Sequence, residues 1–125
     1  MNIAAHMEAT QTYCRFRPPD TVSLVEVAEL VTRAIAHCRT RNFPRLLVDA
    51  SRLTHLAPPS LVDRFLMVED WAREAQGMVS VAIVAPEKLI HPEKFGVRVA
   101  ADSGLRGNIF ASEREAIVWL LAGGD

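Results

Sequence analysis

Residues 46–61 constrain the fold of this chain more than any other segment. They begin with three consecutive aliphatic residues that end at Val48. This run is too apolar for a strand that is wetted on one face, so it predicts a central strand of a parallel sheet covered on both faces. Asp49 and a short loop follow, and residues 58–76 predict a helix with proline in its first turn. A strand, a loop and a helix in this order are typical of an α/β fold.

The remaining segments continue the alternation of strands and helices. Residues 13–17 alternate between polar and apolar side chains and predict a half-exposed strand, with residues 3–7 as its hairpin partner. Further predicted strands are residues 78–84 and 108–110, and further predicted helices are residues 24–39, residues 93–103 and a last helix after Ser112. The pattern predicts one α/β domain over residues 1–125, in which an N-terminal β-hairpin leads into a mostly parallel sheet of four to five strands with about four helices.

Two Ser-x-x-Glu sequences, beginning at Ser23 and Ser112, mark helix starts. In such a capping box, the serine oxygen and the glutamate carboxylate accept hydrogen bonds from N–H groups that otherwise lack a partner. Gly77 and Gly104 stand where the second and third helices are expected to end.

Composition excludes several classes of protein. The 125 residues are half apolar, which is enough for a single core without disulfides or metal. With 14 basic and 15 acidic residues, the net charge of -1 provides no field that attracts nucleic acid. Cys14 and Cys38 stand in apolar contexts and predict buried, reduced thiols. Because no apolar run is long enough to cross a bilayer, we expect a cytoplasmic protein without membrane insertion.

The order of elements and two short sequences resemble the SpoIIAA-like branch of the STAS domains, the anti-sigma-factor antagonist fold. The two sequences are Val-Asp-Ala-Ser, which ends at Ser51, and Glu-Ala-Ile-Val-Trp-Leu, which begins at Glu115. The resemblance covers nearly the whole chain. It implies a regulatory domain that acts through protein contacts.

The serine switch of that family is not expected in this chain. Regulatory members carry Asp-Ser-Ser-Gly-Leu at the start of the following helix, and a partner kinase phosphorylates a serine there, which changes the local charge by nearly two units. Residues 57–61 of this chain read Ala-Pro-Pro-Ser-Leu. Pro58 and Pro59 occupy both serine positions and have no N–H to offer an anion, while Ser60 stands one position late.

Loops at the carboxyl ends of the strands hold the candidate ligand site, since ligands of open α/β sheets usually bind there. The candidate residues are Asp49, Ser51, His55, Ser60 and His91. One interpretation makes Asp49, His55 and His91 a metal set, or a hydrolase with Ser51 or Ser60 as nucleophile. The alternative is that Asp49 orders the turn and the histidines are ordinary loop residues. The chain lacks a catalytic signature motif, so we expect no enzyme, no metal and no cofactor.

The helix predicted over residues 58–76 carries more apolar residues than one buried stripe needs. Its expected core stripe is Leu61, Phe65, Val68, Ala72 and Ala75. Met67 and Trp71 lie a quarter-turn away, and with Arg64 they are the candidate partner-binding residues. Either a neighbouring element covers Met67 and Trp71, or they form an exposed apolar surface.

The leading hypothesis is a non-catalytic protein-interaction module of STAS-like fold, which binds another protein or a second copy of itself through this helix. The first alternative is a domain that binds a small or apolar ligand between the helix and residues 90–95. The second alternative is the small hydrolase or metalloprotein that uses Asp49, His55 and His91.

Overall fold

The structure is a computed structural model, and it describes residues 2–123. Five strands form one sheet in the order of the sequence. They are β1 (Met7–Ala9), β2 (Cys14–Phe16), β3 (Arg45–Asp49), β4 (Ser80–Val84) and β5 (Gly107–Phe110). β1 and β2 pair as an antiparallel hairpin, and each later strand pairs in parallel with the one before it. The predicted α/β class with an N-terminal hairpin and a mostly parallel sheet is confirmed.

Four α-helices cover the sheet. They are α1 (Leu24–Thr40), α2 (Leu61–Ala75), α3 (Phe95–Asp102) and α4 (Glu113–Ala122). Short 3-10 helices at Ile3–His6 and Glu87–Leu89 complete the chain's helical segments within the described residues. None of the helices in residues 2–123 is long and apolar enough to cross a membrane.

Helices α1, α2 and α3 lie on one face of the sheet and α4 lies on the other. Each parallel connection moves one strand further in the same direction, so right-handed crossovers place all three connecting helices on the same side. α1 contacts α2, and α2 contacts α3, whereas α4 packs on β3, β4 and β5. Side chains alternate accordingly along β3, where Leu46 and Val48 belong to the core under α1–α3 and Leu47 belongs to the core under α4.

The predicted helix starts agree with the structure except at α2. Ser23 forms the complete capping box at the start of α1, and the Ser112 hydroxyl accepts the N–H of Glu115 at the start of α4. α2 does not start at Pro58, as predicted, but after Ser60, whose hydroxyl accepts the N–H of Asp63 at 3.0 Å. The Asp63 carboxylate accepts the Ser60 N–H at 3.3 Å in return. This capping box fixes the helix start after both prolines.

The N-terminal hairpin also differs from its prediction. Residues 3–7 were expected to pair with β2, but Ile3–His6 forms a 3-10 helix and Met7–Ala9 makes the pairing. In the observed register Met7 faces Phe16 and Ala9 faces Cys14. The register is set by contacts with β2, which a local sequence pattern cannot reveal.

Candidate functional site

Asp49 is 6% exposed and lies at the carboxyl end of β3. Its Oδ1 accepts hydrogen bonds from the Ser51 N–H at 3.1 Å and the Ser51 hydroxyl at 2.6 Å. Its Oδ2 accepts two from the Arg17 guanidinium, at 3.1 and 3.0 Å. Burial raises the pKa of Asp49, but the bonds from Ser51 and Arg17 outweigh it, and the pKa lies below its ordinary value. Asp49 thus orders the turn after β3 and ties it to the end of β2.

The histidines of the predicted loop site have partners of their own. His55 donates its Nε2–H to the Val22 carbonyl at 2.7 Å. Nδ1 of His91 accepts the Glu93 N–H at 3.1 Å, and the His91 ring lies 6.1 Å from the ring of Phe95. Within residues 2–123, no three side chains of His, Cys, Asp or Glu lie close enough together to hold a metal ion. The structure therefore does not bring Asp49, His55 and His91 into one metal set.

The two candidate nucleophiles are engaged in local structure. Ser51 donates its hydroxyl to Asp49, and Ser60 caps α2. In the described part of the chain, neither hydroxyl has a hydrogen bond to histidine, which a Ser-His-Asp arrangement needs. Of the five loop residues predicted as one site, only Asp49 and Ser51 are hydrogen-bonded to each other, and the other three have partners elsewhere.

The first half of α2 exposes the side chains that were predicted to be buried. Leu61 and Phe65 of the expected core stripe are exposed, together with Val62 and Leu66. Only the second half of the stripe, from Val68 onward, is buried. The neighbouring start of α1 adds Val25, which is 74% exposed. We call this set the apolar patch; its members are Val25, Leu61, Val62, Phe65 and Leu66.

Trp71 is covered, so burial was the correct alternative for this residue. Its side chain is 8% exposed, and its indole N–H donates to the Ala28 carbonyl of α1 at 3.0 Å. Met67 is half-buried one turn earlier. Trp71 thus joins α2 to α1 and is not part of the exposed apolar patch.

A surface groove of about 640 Å³ runs between α1 and α2. Its floor includes Leu24, Ala28, Met67 and Trp71, and Val25 and Leu66 stand on its walls. The charged side chains that line the groove are mostly acidic: Glu29, Asp63, Asp70 and Glu74, with Arg73 as the one base among the lining residues. Two of these carboxylates are paired, Asp70 with Arg73 at 2.8 Å and Glu74 with Arg39 at 2.5 Å.

A second, apolar cavity of about 140 Å³ lies on the inner side of α2, between that helix, α3 and the sheet. Small residues make room for it, because each leaves space that a larger side chain would fill; they are Ala50, Ala85, Gly96, Ala100 and Gly107. Leu24, Met67 and Trp71 line both this cavity and the surface groove, so they form the partition between the two.

Arg64 is the one charged residue in the cavity lining. Its Nε donates to the Pro59 carbonyl at 3.1 Å, and its Nη1 donates to the Leu89 carbonyl at 3.0 Å. Burial lowers the pKa of the Arg64 guanidinium from its ordinary value. Among residues 2–123, no carboxylate lies within ion-pair distance of it. Arg64, expected from the sequence to contact a partner, faces the loops beside the cavity.

Cys14 and Cys38 are buried next to each other without a disulfide bond, as predicted for buried thiols. Their side chains are hydrogen-bonded, and this contact together with burial raises the pKa of Cys38 above that of an ordinary thiol. Both residues contribute to the core under α1.

Comparisons of the chain with family models, with curated proteins and with solved structures found no match. Any proposal about the function of the chain therefore rests on the geometry of the groove, the apolar patch and the cavity.

Proposed function

We propose that this chain is a non-catalytic protein-interaction module of STAS-like fold, and that it binds an amphipathic helix with basic flanks in the groove between α1 and α2. The observation that carries the proposal is the apolar patch beside this groove. Soluble domains bury large apolar side chains wherever packing allows, and a contiguous exposed set marks an interaction surface. Val62 and Leu66 are 66% and 53% exposed, and Leu61 and Phe65 of the same helix are exposed as well.

The shape of the site favours a helix as the occupant. Two neighbouring helices that leave a groove with an apolar floor form the usual receptor for the apolar face of a third helix. Val25 and Leu66 lie on opposite walls, one from each helix, so an inserted helix could contact both. Trp71 and Met67 in the floor supply aromatic and flexible contact surface, which interfaces use often.

The charge of the groove favours a basic partner over a second copy of the chain. Four carboxylates and one guanidinium line it. In a two-fold dimer the same surface meets itself, so the acidic rims of the two copies would face one another. A helix with Lys or Arg beside its apolar face instead places opposite charges at the rim, which increases association rate and specificity.

The test uses two labelled amphipathic peptides of about four helical turns. They share one leucine face, and their polar positions are all lysine in one and all glutamate in the other. The lysine peptide is expected to bind the wild-type protein in fluorescence anisotropy, with an affinity that falls as salt is added. The variant Leu66→Glu is expected to weaken this binding at least about tenfold, because it puts a charge into the apolar wall.

Val118→Glu provides a matched control, because Val118 is 64% exposed on α4 at the opposite face of the sheet. It should leave peptide binding unchanged. Equal binding of the lysine and glutamate peptides, or equal losses in Leu66→Glu and Val118→Glu, would contradict the proposal. A mass that doubles with concentration in the wild type but not in Leu66→Glu would show that a second copy occupies the groove instead.

A further inference from the structure

We propose that the cavity beneath α2 binds a small monocarboxylate, with its apolar body, about the size of a benzene ring, among the cavity's side chains and its carboxylate on Arg64. This site is separate from the groove between α1 and α2, and it does not depend on the proposed protein partner.

The size and lining of the cavity define the apolar part of the ligand. At about 140 Å³ it is close to the volume of a known engineered cavity that stays dry and binds benzene. Its walls come from α1, α2, α3, the sheet and the loops after β3, β4 and α3. Apart from Arg64 and Asn108, every lining residue is apolar, so the interior offers contact to a hydrocarbon group and little hydrogen bonding to a polar one.

The charged part of the ligand follows from Arg64. The guanidinium has five N–H donors in a planar fork, and two backbone carbonyls take one donor each, from Nε and Nη1. Carboxylates are bound by such a fork with two parallel hydrogen bonds. Arg64 is partly buried and lacks a carboxylate partner among the described residues, so a ligand carboxylate would supply the counter-charge.

The loop contacts of Arg64 place the guanidinium at the mouth of the cavity. Pro59 precedes α2 and Leu89 follows β4, so Arg64 bridges the two loops that close this end. Pro59 and Leu89 also line the cavity. A ligand with an acid group at one end and an apolar group at the other therefore matches both parts of the site.

Phenylacetate and its neutral analogue phenylacetamide are the probes, because they differ in charge and share the phenyl ring. Titration calorimetry on the wild-type protein is expected to give an affinity for phenylacetate at least about tenfold higher than for phenylacetamide, owing to the charge-assisted pair. Arg64→Gln should remove this difference and leave the two affinities alike. Arg73→Gln, on the exposed side of the same helix, should preserve it.

Ala100→Leu should weaken both probes by tenfold or more, because its larger side chain takes up cavity volume. Gly96→Ala is the milder second variant; its added Cβ would meet only the Val68 Cγ2, at 3.5 Å, which is an ordinary contact. It should also lower the affinity for both probes, by less than Ala100→Leu does. The proposal is overturned if neither probe binds the wild type, if the acid and the amide bind equally, or if filling the cavity leaves both affinities unchanged. Peptide binding in the groove is measured separately, so the two proposals can fail independently.

Discussion

The two faces of the sheet are packed to different degrees. Under α4, a small core of Leu47, Ala82 and Leu120 is closed by larger side chains at its edge, among them Phe110 and Trp119. Under α1–α3, a larger core leaves a cavity of about 140 Å³ and an exposed apolar patch above it. The face with the larger core is therefore the one that holds this cavity.

The edge of the α4 face illustrates how completely it is closed. Arg106 stacks on the Trp119 ring, with its Cζ 3.8 Å from the ring centroid, and donates to the Trp119 carbonyl at 2.7 Å. It thereby offsets the negative C-terminal end of α4 and covers the aromatic ring at the same time. On the other face, Leu61 and Phe65 remain exposed. α4 also exposes Val118, but on α2 the exposed residues lie beside the groove and the cavity, on which both proposals rest.

The largest difference in stability is expected when one buried alanine on each face is enlarged to valine. Ala116→Val on α4 is expected to lower the free energy of unfolding by about 2 kcal/mol, because it overpacks a fully buried site. Ala100→Val on α3 pays the same cost in helix propensity but adds its methyl groups to the cavity, so its free energy of unfolding should change by less than about 0.5 kcal/mol. Urea denaturation measures both. Equal losses would show that the two faces are packed alike.

The next prediction concerns Asp49, whose hydrogen bonds to Arg17 join the end of β3 to the end of β2. Asp49→Asn should lower the free energy of unfolding by about 2 kcal/mol at neutral pH, because it weakens the hydrogen bonds to Arg17 and Ser51. The loss is not larger because Arg17 is half-exposed, so solvent screens its ion pair with Asp49. The neighbouring control Asp20→Asn changes an exposed carboxylate. A loss as large in Asp20→Asn would contradict the special role of Asp49.

The contribution of Asp49 should also depend on pH. Its folded-state pKa lies below its unfolded value, which is ordinarily near 3.9. The contribution is therefore fully present above the unfolded pKa and is lost as pH falls through the folded pKa. Urea denaturation between neutral pH and about pH 3 should show that the difference between wild type and Asp49→Asn shrinks in acid. A difference that stays constant or grows would contradict the direction of the shift.

A smaller effect is expected at the tryptophan that joins α2 to α1. Trp71→Phe removes the hydrogen bond to the Ala28 carbonyl and should lower the free energy of unfolding by about 1 kcal/mol. It also enlarges the space shared by the groove and the cavity, so phenylacetamide should bind the variant at least as well as the wild type. Weaker binding of phenylacetamide would contradict this expectation and show that contact with the indole contributes more than the added space.

The smallest effect on stability should come from the apolar patch. Leu66→Gln on α2 and Val118→Gln on α4 each change an exposed side chain, and each should alter the free energy of unfolding by less than about 0.5 kcal/mol. Only Leu66→Gln should weaken the lysine peptide. A large loss of stability in Leu66→Gln would mean that the patch supports the fold.

The sheet and most helices could be predicted because their signals are local. The aliphatic run ending at Val48 needs cover on both faces, and Ser23 with Glu26 forms a capping box in sequence and in structure. The start of α2 was missed because Asp63, one carbon shorter than glutamate, completes the box and the prolines suggested an earlier start. Asp is less usual than Glu at this position.

The candidate site could not be predicted because it depends on how elements meet. The helical period assigned Leu61 and Phe65 to the core, which assumes that α2 packs on the sheet along its whole length. Only the stripe residues of its second half, from Val68 onward, are buried. The cavity arises from small residues far apart in sequence, such as Ala50 and Gly107, and no spacing rule connects them. Arg64 was predicted to contact a protein partner, and its hydrogen bonds to the loop carbonyls could be seen only in the structure.

The partition formed by Leu24, Met67 and Trp71 gives the protein an internal optical reporter. Trp71 and Trp119 are the chain's two tryptophans, and they lie on opposite faces of the sheet. In the variant Trp119→Phe, all indole emission comes from Trp71. A peptide in the groove and a phenyl ring in the cavity would approach that indole from opposite sides, so a single emission spectrum could follow the occupancy of either compartment and show whether filling one changes access to the other.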